Sequence, residues 1–496
     1  MSPGNVVIVG AGPAGLTAAY VLSKRGVRSI VLEKGARVGG LARTESYKGY
    51  RIDLGGHRFF TKVGEVEAMW REVLGADFLT RPRLSRIYYD RKLFLYPLRL
   101  ADALSKLGPV ESARIAASYL RSAFFPYRTE DTFEEWVSNR FGRRLFEIFF
   151  KSYTEKVWGI PCHQISAQWA AQRIHRLSLP RAAWNAVFGR RDGEVKSLIQ
   201  EFHYPRLGPG MLWERVAEIV ESRGGAVRLN AGVRRVLRRE GRATGVVIQH
   251  APESGGAGGR EVVVEGDAVI STMPIGELVA KLDPPAPDDV RAAAARLTYR
   301  DFLTVALIVD RADAFPDNWI YVHSPDVRVA RIQNFKNWSA DMAPDPATTC
   351  LGLEYFCNVD DDLWQMNDAD LIRLAAAELE TIGLVSAAEV VDGLVIRQPK
   401  AYPVYTGEYK AYLERIRRYL ASIPNLQTVG RNGLHMYNNQ DHSMLTAMLA
   451  ARNLLGEQHD VWSVNVERAY HEEVRLTPGV GNRKTLTQRR KAAKSL

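Results

Sequence analysis

The stretch that ends at Glu33 constrains the fold of this chain more than any other. Val6–Val9 is a run of β-branched apolar residues that predicts a buried parallel strand, and residues 16–24 have helical spacing. Between them lies Gly10-Ala-Gly-Pro-Ala-Gly15, a G-x-G-x-x-G sequence in the strand–turn–helix context that gives the pattern its meaning. A second apolar run, residues 29–32, leads into Glu33. This arrangement predicts a parallel sheet with a nucleotide-binding turn.

Each residue of the turn has a physical task. Gly10 allows a tight turn, Gly12 lets a pyrophosphate approach the backbone, and Gly15 lets the helix pack on the strand. Pro13 and Ala14 open the helix, whose N-terminus presents backbone N–H groups and the positive end of the helix dipole. The turn is therefore expected to hold the phosphates of a dinucleotide.

The residues after the second strand indicate which dinucleotide is bound. Glu33 lies where a carboxylate accepts hydrogen bonds from ribose hydroxyls. Gly39-Gly40 and Arg43 extend the glycine pattern, and Arg43 can add a charge-assisted contact to the pyrophosphate. Asp53-Leu-Gly-Gly-His57 follows. Together these segments resemble the FAD-binding pattern of amine oxidase and protoporphyrinogen oxidase flavoproteins, which implies FAD. A nicotinamide dehydrogenase is the alternative.

Length and cysteine content limit the class of protein. A chain of 496 residues is too long for one ordinary core and predicts about two or three domains. The three cysteines have no metal-ligand spacing, which predicts no metal site and a reducing, cytoplasmic compartment. No apolar run is long enough to span a bilayer.

The net charge of +11 is unevenly distributed. Residues 481–496 carry six basic residues and no acidic one. We expect this tail to be disordered and solubilising, with peripheral contact to anionic lipid as the alternative. The remaining excess suits an anionic ligand. A basic nucleic-acid binder with structural FAD is a third hypothesis, but no helix-turn-helix, zinc or aromatic-platform pattern supports it, so no nucleic-acid partner is expected.

The order of the segments predicts an α/β fold with a discontinuous, Rossmann-type FAD-binding domain. Its three parts are expected at residues 1–98, 201–275 and 426–480. A helical insertion is expected over residues 99–200, because the periodicity there is helical. Residues 276–425 contain the strand-like runs of an antiparallel-sheet substrate domain.

Local signals place several elements within this plan. Two short strands are expected on either side of a turn at Asp90-Arg91, and Thr132 with Glu135 forms a capping box. Residues 202–210 are interpreted as a turn before a helix. A mobile loop is expected at 188–193 and a glycine-rich hairpin loop at 253–259. The expected strands of the substrate domain are residues 302–310, 319–323, 328–334 and 349–356.

Three further segments point to one group of flavoproteins. They are Lys92–Leu98, Tyr153-Thr-Glu-Lys-Val-Trp-Gly159 and Gly430-Arg-Asn-Gly-Leu-His-Met-Tyr437. Together with Gly55–His57, they resemble segments of the UDP-galactopyranose mutases. The resemblance implies a small-molecule substrate that is a sugar carried on a nucleotide or lipid diphosphate. It also implies a redox-neutral change of sugar ring size at reduced flavin.

The same resemblance implies site residues at matching positions. The implied catalytic residues, His57 and Arg431, would lie beside the flavin ring. The implied FAD contacts are Gly10, Gly12, Pro13, Ala14, Gly15, Glu33, Lys34, Gly39, Gly40, Leu41, Ala42, Arg43, Gly56, His57, Val233, Gly430, Arg431 and Asp441. The implied substrate contacts are Tyr153, Trp158, Arg173, Arg176, Arg331 and Tyr437. Arginines suit a diphosphate because the guanidinium fork binds two oxygens at once.

The chain departs from the mutase pattern in the substrate pocket. Phe60, His435 and Asn439 stand where bacterial mutases tend to have histidine, tyrosine and aspartate. Net oxidation of a substrate by flavin, as in protoporphyrinogen or amine oxidases, is therefore the second hypothesis. For Tyr153 or Trp158, the alternative to substrate contact is packing in the protein core.

Overall fold

The structure is a computed structural model that describes residues 4–167, 201–249, 261–405 and 407–465. Arg173 and Arg176, the loops expected at 188–193 and 253–259, and the basic tail lie outside the described residues.

A five-stranded parallel sheet carries the nucleotide-binding turn and confirms the predicted fold class. Its order, from one edge to the other, is Leu426–Thr428, Ala268–Ser271, Asn5–Val9, Arg28–Leu32 and Ala226–Arg228. The central strand is almost wholly buried, as expected for a parallel sheet covered on both faces. The sheet contains strands from the first, middle and last parts of the chain, so the nucleotide domain is discontinuous.

A four-stranded sheet is formed mainly by the chain between the parallel strands Ala226–Arg228 and Ala268–Ser271. Its order is Glu261–Glu265, Arg242–Gln249, Val233–Arg239 and Leu282–Asp283. The strand that begins at Val233 was not among those expected from sequence, because its alternation of arginines and apolar residues is short and irregular.

A seven-stranded sheet forms the wall of the second domain. Its order is Val390–Pro403, Tyr299–Val309, Thr349–Cys357, Arg331–Asn334, Trp319–Val322, Ser85–Tyr89 and Lys92–Leu95. All neighbours are antiparallel except Trp319–Val322 and Ser85–Tyr89. The last two strands were expected at the Asp90-Arg91 turn, but they extend this sheet rather than the nucleotide sheet.

Two short antiparallel pairs connect these units. Thr44–Tyr47 pairs with Tyr50–Asp53, and Phe78–Pro82 pairs with Glu201–Pro205. The second pair corrects the interpretation of residues 202–210 as a turn. Those residues begin as a strand because Phe78–Pro82, distant in sequence, supplies the partner.

The helices confirm the helical insertion as far as residue 167. The described α-helices are Pro13–Ser23, Gly64–Leu74, Leu100–Leu107, Pro109–Phe124, Phe133–Phe141, Arg143–Phe146, Ser152–Trp158, Gly210–Ser222, Ile275–Ala280, Asp288–Ala295, Phe335–Trp338, Asp362–Gln365, Asp368–Ile382, Tyr409–Leu420, Gly430–Gly433 and Gln440–Leu454. A π-helical turn, Glu147–Lys151, joins two of them. The capping box of Thr132 and Glu135 is present.

Candidate active site

The glycine turn has the geometry expected for a phosphate-binding loop. Gly10 has φ +98°, and a Cβ on Gly15 would lie 1.8 Å from the Gly10 carbonyl oxygen. Both glycines are therefore required by the protein itself. Gly12 differs, since a Cβ there would meet only the Cα of Gly40, at 3.7 Å. The helix begins at Pro13 directly after it, so the space beside Gly12 is bounded by bare backbone and a helix N-terminus.

A second glycine pair closes this space. Gly39 and Gly40 both have positive φ, and a Cβ on Gly40 would lie 3.0 Å from the Cα of Gly12. Arg43 donates to the Gly40 carbonyl at 3.0 Å and to Gln398 Oε1 at 2.7 Å, and its Nε lies 2.6 Å from Glu45. The guanidinium thus has a carboxylate partner within the protein and joins the loop to the seven-stranded sheet. Its contact with a pyrophosphate stays a prediction.

Glu33 and its neighbours form the far end of the nucleotide groove. The Glu33 carboxylate accepts hydrogen bonds from the backbone of Ala11 at 2.9 Å and of Gly35 at 2.8 Å. The chain that leads into Val233 lies against this segment, because the Ala231 amide donates to the Glu33 carbonyl. Lys34 is exposed beside it. Their contacts with the cofactor remain predictions.

An open cleft lies between the nucleotide domain and the seven-stranded sheet. It encloses about 870 Å³, part of it open to solvent. Seven of the residues expected at the site line it: Leu41, Gly56, His57, Arg331, Arg431, Tyr437 and Asp441. Gly430, next to Arg431, is so close to the nucleotide turn that a Cβ there would lie 3.0 Å from the Ala14 Cβ. The cleft therefore continues from the glycine groove.

His57 is a neutral side chain at the floor of the cleft. Its Nδ1 lies 3.1 Å from the Gly55 carbonyl oxygen. A carbonyl oxygen only accepts, so Nδ1 carries the proton and Nε2 is left as an acceptor. Burial, together with the charge of Arg431, lowers the pKa of His57 to about 3. At neutral pH this histidine can therefore accept a hydrogen bond but is a poor general base.

Arg331 is paired with a carboxylate that sequence reasoning missed. Its Nε donates to Glu354 Oε2 at 2.5 Å, and Gln333 donates to the other oxygen at 2.8 Å. Glu354 is wholly buried, whereas 17% of the Arg331 side chain is exposed. Burial lowers the pKa of Arg331, but the attraction of Glu354 more than offsets it and raises the pKa well above its usual value. The burial of Arg331 therefore does not by itself require a ligand anion.

Arg431 is held between backbone carbonyls and tyrosine rings. Its Nε donates to the carbonyl oxygen of Asn438 at 2.9 Å, and its Nη1 donates to the carbonyl oxygen of Ala401 at 3.1 Å. The guanidinium carbon lies 5.2 Å from the ring centre of Tyr402 and 5.0 Å from that of Tyr437. These bonds use two of the five N–H groups of the guanidinium. Arg431 is thus fixed in position and still able to bind an anion.

Tyr153 and Trp158 lie behind the cleft wall. Tyr153 stacks on His323, with ring centres 4.7 Å apart, and packs with Tyr402. Trp158 is buried in the core of the helical insertion, 6.5 Å from the ring of Tyr437. Neither residue is among those that line the cleft. Direct substrate contact by either stays a prediction, and the packing is that of residues that support the wall.

Several cleft residues had no signal in the sequence. They include Arg58, Phe302, Gln398 and Tyr402. Glu354, the buried partner of Arg331, had no signal either. The strand register gives the one signal that could have identified Glu354, because it lies directly opposite Arg331 on the neighbouring strand. That pairing becomes visible only once the order of the strands is known.

Comparison with known proteins identifies the family. The family model for flavin-containing amine oxidoreductases matches residues 13–452. The chain belongs to this family. FAD is accordingly its cofactor, and the bare-backbone groove at Gly12 and Gly40 fits the pyrophosphate of that group.

Several known proteins are similar to the chain over most of its length. Coproporphyrinogen III oxidase of Mycobacterium tuberculosis (strain ATCC 25618 / H37Rv) is 26% identical over 433 residues, which cover 82% of this chain and 88% of that protein. Among solved structures, reduced UDP-galactopyranose mutase has a TM-score of 0.79 at 22% identity, with 94% of this chain and 99% of that chain covered. A protein of Exiguobacterium sp. 255-15 assigned as a protoporphyrinogen oxidase has a TM-score of 0.67 at 21% identity, with coverages of 92% and 100%.

The amine oxidoreductase fold confirms the predicted α/β architecture and the FAD cofactor. The chain is a flavoenzyme of an oxidoreductase family. Within the ranges listed above, no helix is long and apolar enough to cross a membrane.

Proposed function

We propose that the protein is an FAD-dependent enzyme that acts on a sugar linked to a nucleotide or lipid diphosphate. The observation that carries the proposal is the pair of arginines, Arg331 and Arg431, that line one cleft together with the neutral His57. Bound FAD would supply the hydride or covalent chemistry at carbon.

The charges of the cleft favour an anionic substrate. Arg331 forms an ion pair with Glu354 through Nε and Nη2, and its Nη1 makes no hydrogen bond to the described residues. Arg431 has no carboxylate partner in the part of the chain that the structure describes. An arginine with free N–H groups in a partly desolvated cleft binds phosphate oxygens strongly, because the hydrogen bonds are charge-assisted. Two such groups suit the two phosphates of a diphosphate.

The aromatic wall complements this charge. The rings of Tyr402 and Tyr437 stack 5.5 Å apart at 19°. Such a surface offers apolar area and two hydroxyl groups, which suits a sugar or a base. The role of the chain's own groups is then to bind the diphosphate with arginines, to orient the sugar, and to accept a hydrogen bond at His57 Nε2.

The second candidate function is net oxidation of a carboxylated tetrapyrrole. The similarity to coproporphyrinogen III oxidase favours it, and carboxylates also bind arginines. The pairing of Arg331 with Glu354 also favours it, because it lowers the positive charge available for a diphosphate. The fold similarity to UDP-galactopyranose mutase favours the first candidate only at the level of architecture.

Calorimetric titration of UDP into the FAD-loaded protein distinguishes the two functions. We expect Arg331→Ala to keep the flavin spectrum and to lose about 2–4 kcal/mol of UDP binding, or roughly a hundredfold in affinity. Arg331→Lys keeps the charge without the fork and should restore binding only in part. Arg328→Ala is the matched control, because Arg328 lies on the same segment but pairs with the exposed Asp362.

The possible results separate the hypotheses. UDP binding that is lost in Arg331→Ala and kept in Arg328→Ala supports the sugar-diphosphate function. Absence of UDP binding by the wild type, with binding of coproporphyrinogen III, would favour the oxidase. Arg331→Ala leaves Glu354 unpaired, so Arg331→Met combined with Glu354→Gln is measured as well, to keep the comparison between folded proteins.

A further inference from the structure

The helix Pro109–Phe124 has an apolar face on each side. Its inner face contains Ile115, which is 4% exposed and packs in the core of the helical insertion. On the opposite side, Val110, Ala113, Ala117, Leu120 and Phe124 recur at steps of three and four residues and are all exposed. We call these five residues the exposed stripe. The outer face of a helix in a soluble domain normally carries charged or polar side chains instead.

The exposed stripe ends in an aromatic cluster. Val110 is 67% exposed, Leu120 is 55% exposed, and Phe124 and Phe125 are 76% and 80% exposed. Scattered exposed apolar residues need no explanation, but large ones on one continuous face indicate an interaction surface. The polypeptide chain turns away directly after Phe125, at Pro126.

Basic side chains flank the exposed stripe, and acidic ones do not. Glu111 is the single acidic residue of the helix, and it forms an ion pair with Arg144 of the neighbouring helix. Arg121 and Arg128 are exposed and lie within or just beyond the last turn. Across the four described stretches, neither has a carboxylate within ion-pair distance. A surface with large apolar side chains beside unpaired arginines matches the interface of an anionic bilayer.

A second copy of the chain fits this surface less well. A symmetric dimer places the same patch against itself, so that the arginines of one copy face those of the other. Like charges brought together at an apolar interface repel, whereas anionic lipid headgroups neutralise them. We propose that the exposed stripe, with Phe125, Arg121 and Arg128, docks the protein on an anionic membrane surface.

Sedimentation with lipid vesicles tests this proposal on the full-length, FAD-loaded protein. One set of vesicles contains phosphatidylcholine alone, and the other an equal mixture of phosphatidylcholine and phosphatidylglycerol. We expect binding to the mixed vesicles only. Phe124→Ser with Phe125→Ser should weaken it on the order of thirtyfold, and Arg121→Ser with Arg128→Ser by a similar factor, since each basic residue near such a surface contributes about 1 kcal/mol.

Two matched controls make the test specific. Val263→Ser with Val391→Ser removes apolar side chains that are 55% and 60% exposed elsewhere, and Arg239→Ser removes an exposed charge on the four-stranded sheet. Both controls should bind mixed vesicles as the wild type does. The comparison with Arg489→Ser, Arg490→Ser and Lys491→Ser separates the exposed stripe from the basic tail.

Three results would overturn the proposal. The first is a wild type that does not bind the mixed vesicles. The second is binding that survives the phenylalanine and arginine variants but is lost in the tail variant. The third is a wild-type dimer that Phe124→Ser with Phe125→Ser converts to a monomer without any vesicle binding, which would assign the surface to a second copy. The variants of the exposed stripe and the two controls change exposed side chains, so folding is expected to be preserved.

Discussion

Glu354→Gln tests whether the Arg331–Glu354 pair organises the cleft. The substitution keeps the shape of the side chain and an acceptor for Gln333, and it removes only the negative charge. Because Glu354 is wholly buried, no water can replace the lost charge on its side of the pair. Arg331 then remains as a partly buried cation with weaker hydrogen bonds.

The expected loss of stability follows from the burial of the two partners. Breaking a fully buried ion pair on one side costs about 3–5 kcal/mol. Arg331 retains some access to water through the cleft, so we expect the lower end of this range, about 3 kcal/mol. Adding Arg331→Met removes the orphaned cation and should recover most of the loss, because an apolar pair of similar volume is often as stable as the ion pair.

Urea unfolding with FAD in excess measures these values, with flavin and tryptophan fluorescence as the two probes. Glu67→Gln is the control, because Glu67 pairs with Arg71 in a largely exposed helix pair. It should change the free energy of unfolding by less than about 0.5 kcal/mol. A loss below about 1 kcal/mol in Glu354→Gln, or no recovery in the double variant, would refute the reasoning.

Three further predictions concern the glycine turn and two buried titratable groups. Gly12→Val should fold but fail to retain FAD, because the space beside Gly12 is the space expected to hold the pyrophosphate. Gly15→Ala should instead destabilise the protein itself, because its Cβ would meet the Gly10 carbonyl oxygen. A folded Gly12→Val with stoichiometric FAD absorbance would show that the turn is misassigned. Burial raises the pKa of Asp53 to about 7, although hydrogen bonds from Tyr204 and Thr44 act to lower it. Between about pH 4 and 7, Asp53 is therefore protonated in the folded state and ionised in the unfolded state. Stability therefore falls as the pH rises through this window, and Asp53→Asn should gain up to about 4 kcal/mol relative to wild type across it, measured by unfolding at each pH; a constant difference would contradict this. His57 should remain neutral across the neutral range, so an NMR titration of its ring that shows protonation near pH 6.5 would be inconsistent with its burial beside Arg431.

The nucleotide-binding half was predictable because its signals are local. The strand before Gly10, the glycine turn and the helix after it each follow from a few consecutive residues. The return of residues 268–271 and 426–428 to the same sheet was likewise expected, since both lie in segments assigned to the nucleotide domain. For these elements, the structure required little correction of the prediction from sequence.

The cleft was predictable only in part, because its partners come from distant segments. Ser85–Tyr89 joins the seven-stranded sheet by pairing with Trp319–Val322, and no local sequence pattern indicates this pairing. The same holds for Glu354, which acquires its role from the strand opposite it. The sequence did not indicate that Arg331 has a carboxylate partner within the protein itself.

The measurement that tests the central claim most directly is a thermal-shift titration of the FAD-loaded protein, oxidised and reduced, with nucleotide sugars and with coproporphyrinogen III. A ligand that binds the folded state raises the melting temperature increasingly with its concentration. We predict such a rise for at least one diphosphate-linked sugar and its loss in Arg331→Met with Glu354→Gln. Stabilisation by coproporphyrinogen III alone, with none by any nucleotide or lipid diphosphate, would contradict the account.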